Sequence, residues 1–190
     1  MKRIFNFLLV IVISISALFL TVHAQKKTNQ SPETLIERSD EYEPLTLFLG
    51  NWRLLFVSYD KQKFSNQGTG FEEIKFITGD RFLSIENTIV IKGFEMKRHG
   101  YISYNKILEK FTYYFIDDNA SFPVQLEGDY NSTERTFTFY GNGFDYALFK
   151  ERKLKVYFKF ESEDRYVEKR YWIDDKGKET IMIEFTHIKN

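Results

Sequence analysis

From residue 51 to the C-terminus, apolar and polar side chains alternate with a period of two, in runs of about seven to eleven residues separated by short polar breaks. The run 71–77, FEEIKFI, is followed by Thr78-Gly79-Asp80 and then by 81–91, RFLSIENTIVI, which predicts a hairpin. Lys92-Gly93 turns the chain into 94–104, and Asn105-Lys106 turns it again into 109–117. A loop at Asp117–Ala120 leads to further runs at 122–128, 134–140, 144–151, 154–161, 165–173 and 178–188. The breaks between them read DYNST, GNG, RK, SED and DDKGK. Turn signals at this spacing predict an all-β protein of about ten strands.

The alternation also assigns faces. Leu83, Ile85, Ile89 and Ile91 share one face with Arg81 and Asn87. Phe137 and Phe139 oppose Thr136 and Thr138, while Leu154, Val156, Phe158 and Phe160 oppose Lys155, Tyr157 and Lys159. In the last run Ile181, Ile183 and Phe185 share a face with His187. Consecutive hairpins predict a single antiparallel up-and-down meander. A meander of this length hides its open edges most simply by closing into a barrel.

The N-terminal part has a different pattern. Lys2 and Arg3 precede an almost wholly apolar stretch, Phe7–Leu20, and Val22-His23-Ala24 offers the small residues of a cleavage site. Residues 1–24 therefore read as a signal peptide, because the apolar run is shorter than the ~20 residues of a membrane span. No second apolar run is long enough to span a bilayer. Residues 25–43 are a polar tether in which Ser31-Pro32-Glu33 can start a short helix, with Pro at its first position. Residues 44–190 form the barrel domain, entered through a helical turn at Pro44–Leu49. The expected location is outside the cytoplasm, either periplasmic or extracellular.

Composition sharpens this picture. Aromatic residues make up 18% of the chain, with 20 Phe and 12 Tyr, which suits pleated, half-buried strands. The 27 basic and 27 acidic residues cancel, which argues against a nucleic-acid partner. Without Lys2 and Arg3 the 27 basic residues become 25 against 27 acidic, a net charge of −2. There is no cysteine, which excludes disulfides, thiolate metal sites, cysteine nucleophiles and a cysteine-linked lipid anchor.

The stretch LTLFLGNWRLLFVSYD places Gly50 and Trp52 at the start of the first strand. A Gly-x-Trp after a helical turn resembles the lipocalins and their calycin relatives. The resemblance implies a Trp plugging the closed end of the barrel, with an arginine of a late strand on its ring; Arg165 and Arg170 are the candidates. The longer segments GTGFEEIKFITGDRFLSIENT, HGYISYN and FTYYFIDDNASFPVQLEGDYNSTERTFTFYG resemble an uncharacterised family of bacterial secreted lipocalin-like domains. Gly100-Tyr101 and Asp117 occupy the matching places, over roughly residues 45–145. Ile102-Ser103-Tyr104 departs from that pattern, in which an Asp often follows Gly-Tyr.

No H-E-x-x-H, G-x-S-x-G or phosphate loop is present. Gly68-Thr69-Gly70 reads as a turn before a strand. Glu72 and Glu73 point to opposite faces of their strand, and Glu73 and Glu86 read as solvated neighbours across the first hairpin. Asn119 and Asn131 fit the glycosylation pattern in loops. Lys97-Arg98-His99 is the densest basic cluster, and it reads either as an anion contact at the barrel mouth or as a solvent-facing strand edge.

These residues predict a non-catalytic module that binds a small apolar or amphipathic molecule inside the barrel. The candidate contacts are Arg98, Tyr101, Tyr113, Phe115, Phe139 and Phe158. No cofactor is expected on this reading. One alternative is a haem barrel with His187 as the proximal ligand, since ferric-haem barrels also open with Gly-x-Trp and carry a late histidine; another is a structural or partner-binding barrel with no small ligand. Exported material is expected to begin at Gln25 and to leave the membrane fraction, which N-terminal sequencing or intact mass checks. Full-length chain recovered from membranes would refute the leader.

Overall fold

A computed structural model describes residues 32–118 and 120–190. The leader, the start of the tether and Asn119 lie outside the described residues. Pro32–Ile36 forms a five-residue helix, α1, with Pro32 at its first position. It belongs to a unit of its own, and the barrel unit runs from Glu37 to Asn190.

The barrel unit opens with a 3-10 segment, Asp40–Phe48. The turn expected at 44–49 is thus the second half of a longer element, and Tyr42 is already buried. Ten strands follow: β1 Gly50–Asp60, β2 Lys63–Ile77, β3 Phe82–Ile91, β4 Phe94–Asn105, β5 Lys110–Asp117, β6 Val124–Asn131, β7 Thr136–Asp145, β8 Lys150–Phe160, β9 Arg165–Ile173 and β10 Glu179–Lys189. Each pairs antiparallel with its neighbours in sequence, and β1 also pairs with β10, so the sheet closes on itself. Closure gives every strand two partners and leaves no free edge.

The Gly-x-Trp at the start of β1 now has a physical account. Gly50 takes φ +134°, a conformation that a residue with a Cβ rarely adopts, and this redirects the chain from the 3-10 segment into β1. Trp52 then points inward with no exposed surface, and its Nε1 donates to the carbonyl of Phe48 at 2.8 Å. Phe48 fills the same end. Its ring lies 4.8 Å from Phe160, 5.1 Å from Phe137, 5.2 Å from Phe158 and 5.7 Å from Tyr166. Tyr42 fixes the segment to the wall by donating to the carbonyl of Tyr104 at 3.1 Å. This end of the barrel is closed by aromatic packing. Neither expected arginine covers the Trp52 ring. Arg165 pairs with Glu161 on the surface, Arg170 lies in the interior, and Lys189 Nζ sits 5.3 Å from the Trp52 ring.

Several sequence expectations shift. Gly68 and Gly70 lie inside β2 and form no turn. At Gly70 an added Cβ would stand 2.1 Å from the carbonyl oxygen of Thr88, so glycine there permits close approach of β3. The GNG at 141–143 is strand interior, and the run 144–151 is no strand of its own: 144–145 end β7, 146–149 form the hairpin tip and 150–151 begin β8. Asp145 makes that tip: its Oδ1 accepts from the amides of Ala147 and Leu148, and its Oδ2 binds Arg152 at 2.7 Å. Asn131 likewise turns the chain at the end of β6 by accepting from the amide of Glu134. A bulge between Ile181 and Ile183 breaks the alternation of β10, so Met182 and Ile183 pack against the core in place of Ile181.

Truncating Trp52 removes the largest fully buried side chain and its hydrogen bond together. Trp52→Ala is expected to cost about 3–5 kcal/mol of stability, measured by denaturant unfolding. A loss below about 1 kcal/mol would contradict the plug.

Candidate functional site

Above the aromatic plug lies a layer of buried polar side chains. The Glu72 carboxylate, on β2, is its centre. Oε1 accepts from Tyr166 Oη at 2.7 Å and contacts His187 Nδ1 at 2.9 Å, while Oε2 accepts from Asn87 Nδ2 at 3.3 Å. Burial pushes the Glu72 carboxyl up, but His187, Tyr166 and Asn87 outweigh it and hold the pKa below its ordinary value of 4.5. An ionised Glu72 only accepts, so Nδ1 of His187 is the donor. The imidazole is also stacked on Tyr166 with centroids 3.9 Å apart. Burial, with Glu72 close by, lifts the Tyr166 hydroxyl well above its ordinary range, so it stays a donor.

Two ion pairs continue the layer, Arg170–Glu168 fully buried and Arg98–Asp117 with its carboxylate 20% exposed. Arg170 Nε binds Glu168 Oε1, and its Nη2 lies 3.5 Å from Tyr113 Oη. Arg98 Nε binds Asp117 Oδ1, with Nη2 3.4 Å from Oδ2. Burial raises the Asp117 carboxyl, but Arg98 more than offsets this and holds it below 3.8. Both guanidinium groups lie over the same two rings. Arg98 is 5.2 Å from Phe115 and 5.5 Å from Phe185, and Arg170 is 4.5 Å and 5.7 Å from them.

Beyond this layer, at the end opposite the plug, is a cavity of about 240 Å³. Its wall is apolar, from Phe56, Phe115, Phe122, Phe144, Trp172 and Met182 among others, and its floor carries Arg98, Arg170 and Asp117. The rim is aromatic too: Phe144 packs on Phe122, Tyr146 and Phe149, and Phe149 is 82% exposed. A larger depression of about 730 Å³ lies along β1–β4, lined by the exposed Phe71, Glu73, Glu86, Lys97 and His99 and reaching the buried Trp52, Glu72 and Asn87. Glu73 and Glu86 stand directly opposite each other there, both exposed.

The predicted contacts distribute unevenly. Arg98 and Phe115 reach the cavity. The alternation of β4 turns Arg98 inward and leaves Lys97 and His99 outside, which splits the basic cluster. Tyr113 is buried beneath the cavity, and Phe139 and Phe158 lie deeper, packed on its ring at 5.6 and 5.7 Å. Tyr101 sits on the outer face, 41% exposed, beside Tyr114, because its neighbours Gly100 and Ile102 take the inward positions. His187 is inside the barrel and not at its rim, 1% exposed. Its Nε2 has no hydrogen-bond partner, but Glu168 Oε2 stands 3.8 Å away and Tyr166 covers the ring. His187 is not among the residues lining the cavity, so a haem iron has no room at Nε2 and these residues do not fit the group. Among the described residues, no cluster of three His, Asp or Glu is placed to hold a metal ion, and no helix is long and apolar enough to cross a membrane.

Glu72, Glu168, Arg170 and Asn87 were absent from the predicted site. A signal existed, since Tyr166, Glu168, Arg170 and Trp172 share one face of β9, and Glu72 shares a face with Ile74. Charged residues on such a face are ordinarily assigned to solvent.

A closed barrel of ten antiparallel strands, plugged at one end and holding a cavity at the other, is a lipocalin-like fold. The chain belongs to the DUF1579 family of proteins of unknown function, whose family model spans residues 37–189. No curated protein matches it. Among solved structures it is similar to an S-type phycobiliprotein lyase, CPES from Guillardia theta, with a TM-score of 0.58 and 12% identity over 85% of this chain and 98% of that one. It is less similar to EF1p2_mFAP2b bound to DFHBI, with a TM-score of 0.44 and 10% identity over 80% of this chain and 100% of that one. A de novo designed fluorescence-activating β-barrel gives a TM-score of 0.42 and 12% identity over 76% and 95%. At such identities the likeness is one of fold.

The ionised state of Glu72 carries a pH dependence. Its folded pKa lies below its unfolded value, so its contribution to stability is present above about pH 4.5 and is lost as pH falls through the folded value. Glu72→Gln is expected to lose about 1.5–3 kcal/mol at pH 7 and to show a shallower decline between pH 5 and pH 3 than the parent, measured by denaturant unfolding at each pH. Equal slopes in the two proteins would mean that Glu72 is not the group responsible.

Proposed function

We propose that this protein is an exported, non-catalytic binding barrel that holds one small apolar or amphipathic molecule in its open-end cavity. The observation that carries the reading is the cavity itself: apolar walls, a few convergent polar groups on the floor, and a position at the mouth of a barrel. Its volume of about 240 Å³ falls just below the ~300–1,000 Å³ of drug-sized sites, so the ligand is compact. Export rests on the leader pattern of residues 1–24. A binding role is favoured over catalysis because the interior carboxylates are engaged with Arg98, Arg170, Tyr166 and His187, and so are not free to act on a substrate.

The test uses an uncharged solvatochromic dye of about ten non-hydrogen atoms, a dialkylaminobenzonitrile, sized to the cavity. It is expected to bind the mature protein at one site with a blue-shifted emission, and Ala120→Trp, which places an indole at the cavity wall, is expected to weaken binding by about tenfold or more. Equal binding to both proteins would move the site out of the cavity, and no binding to the parent protein would defeat the reading.

A further inference from the structure

The floor of the cavity contains a donor with nothing to bind. Arg98 is 2% exposed, and Nε and Nη2 are used by Asp117, but its Nη1 is fully buried without a partner. An orphaned buried donor of this kind is destabilising, and an acceptor that reaches it recovers that loss. Arg98 lines the cavity, so an acceptor that displaces the packing over Nη1 from that side would satisfy it. Arg170 lines the same floor and holds Glu168 through its Nε edge. Each arginine already has a carboxylate, Asp117 for Arg98 and Glu168 for Arg170, so what the floor still offers a ligand is the unpaired N–H of Arg98. The walls above are apolar: Phe122, Phe144, Trp172 and Met182.

We propose that the ligand is an amphipathic anion, a medium-chain carboxylate, whose acid group accepts from Arg98 Nη1 and whose tail lies against Phe122, Phe144, Trp172 and Met182. This rests on the cavity being the ligand site. A carboxylate fits the floor better than a neutral acceptor. It pairs with a cation already desolvated, in surroundings where charge-assisted hydrogen bonds are roughly twice as strong as neutral ones. A cation gives Arg98 Nη1 no acceptor and so leaves that donor unsatisfied. The cavity sets the length. At the ~30 Å³ that a water occupies in the liquid, 240 Å³ holds about eight non-hydrogen atoms; octanoate exceeds this by about two, and because the cavity opens at the barrel mouth the end of its tail meets the aromatic rim.

The experiment compares octanoate, octanol and octylamine by calorimetry at pH 7.5 on the mature protein, with the uncharged dye as a control for the cavity. The expected result is octanoate binding about tenfold or more tighter than octanol, with octylamine undetectable. In Arg98→Met combined with Asp117→Asn, which removes the ion pair as a unit and avoids a stranded carboxylate, the octanoate preference is expected to fall to about one. Octanoate and octanol binding equally to the parent would overturn the anion assignment while leaving the cavity as a binding site. Dye binding without octanoate binding would overturn it as well. A preference that persists in the folded double variant would place the acid group elsewhere. Failure of the dye and all three probes together would instead defeat the binding function on which the inference rests. The comparison on the parent protein decides the matter even if the double variant does not fold.

Discussion

One carboxylate ties the barrel together across its interior. Glu72 sits on β2, and its partners Asn87, Tyr166 and His187 come from β3, β9 and β10. Those strands lie on both sides of β1, where the two ends of the meander meet. Backbone pairing alone would accept a slip of register at this seam. A buried anion with three side-chain donors would not, because a slip turns each donor to the opposite face and strands the charge. Burying an unpaired carboxylate costs several kcal/mol, so the native register is separated from its neighbours by more than apolar packing provides.

The interior is therefore layered by chemistry. Aromatic residues fill the end covered by the 3-10 segment, ion pairs and hydrogen bonds occupy the middle, and apolar residues return around the cavity. Each layer depends on the one below. Phe48 and Trp52 fix Tyr166, which meets Trp52 edge to face at 4.8 Å, and Tyr166 in turn holds Glu72 and covers His187. His187 lies between Glu72 and Glu168, and Glu168 holds Arg170 at the cavity floor. The plug and the cavity are thus joined by a continuous run of contacts between named groups.

Much of this architecture was legible. A period of two names the strands because each inward position must be apolar or paired, and residues such as Leu154, Val156 and Phe158 leave no doubt about their face. Glycine misled in two places. It serves turns and close strand approach equally well, so Gly70 and the 141–143 segment read as breaks although both are strand interior. The bulge in β10 was invisible, because Ile181 and Met182 are equally apolar. The cavity was half legible. Arg98 stood out as part of a basic cluster, and Phe115 as part of an aromatic strand. Glu72, Glu168 and Arg170 did not, because a charged residue in an alternating run has the same pattern whether it meets water or a buried partner. Only the pairing of β2 with β1 and β3, and of β9 with β8 and β10, reveals those partners. Tyr101 shows the converse: it is aromatic, adjacent to Gly100 and on the wrong face.

The depth of the cavity is set by charge together with side-chain volume. Below Arg98 and Arg170 the interior remains rich in large apolar groups such as Phe139 and Phe158, so a longer apolar ligand would find favourable surface there. To reach it, the ligand would have to part the ion pairs Arg98–Asp117 or Arg170–Glu168. Separating a buried pair costs about 3–5 kcal/mol. Each additional buried methylene returns about 0.8 kcal/mol, so four to six carbons would be needed merely to break even. Phe139, Phe158 and Phe185 already close that space, with Phe158 and Phe139 6.0 Å apart and Phe185 5.2 Å from Phe56. The layer that fixes the register of the closing seam through Glu72 thus also closes the cavity from below, through Arg98 and Arg170.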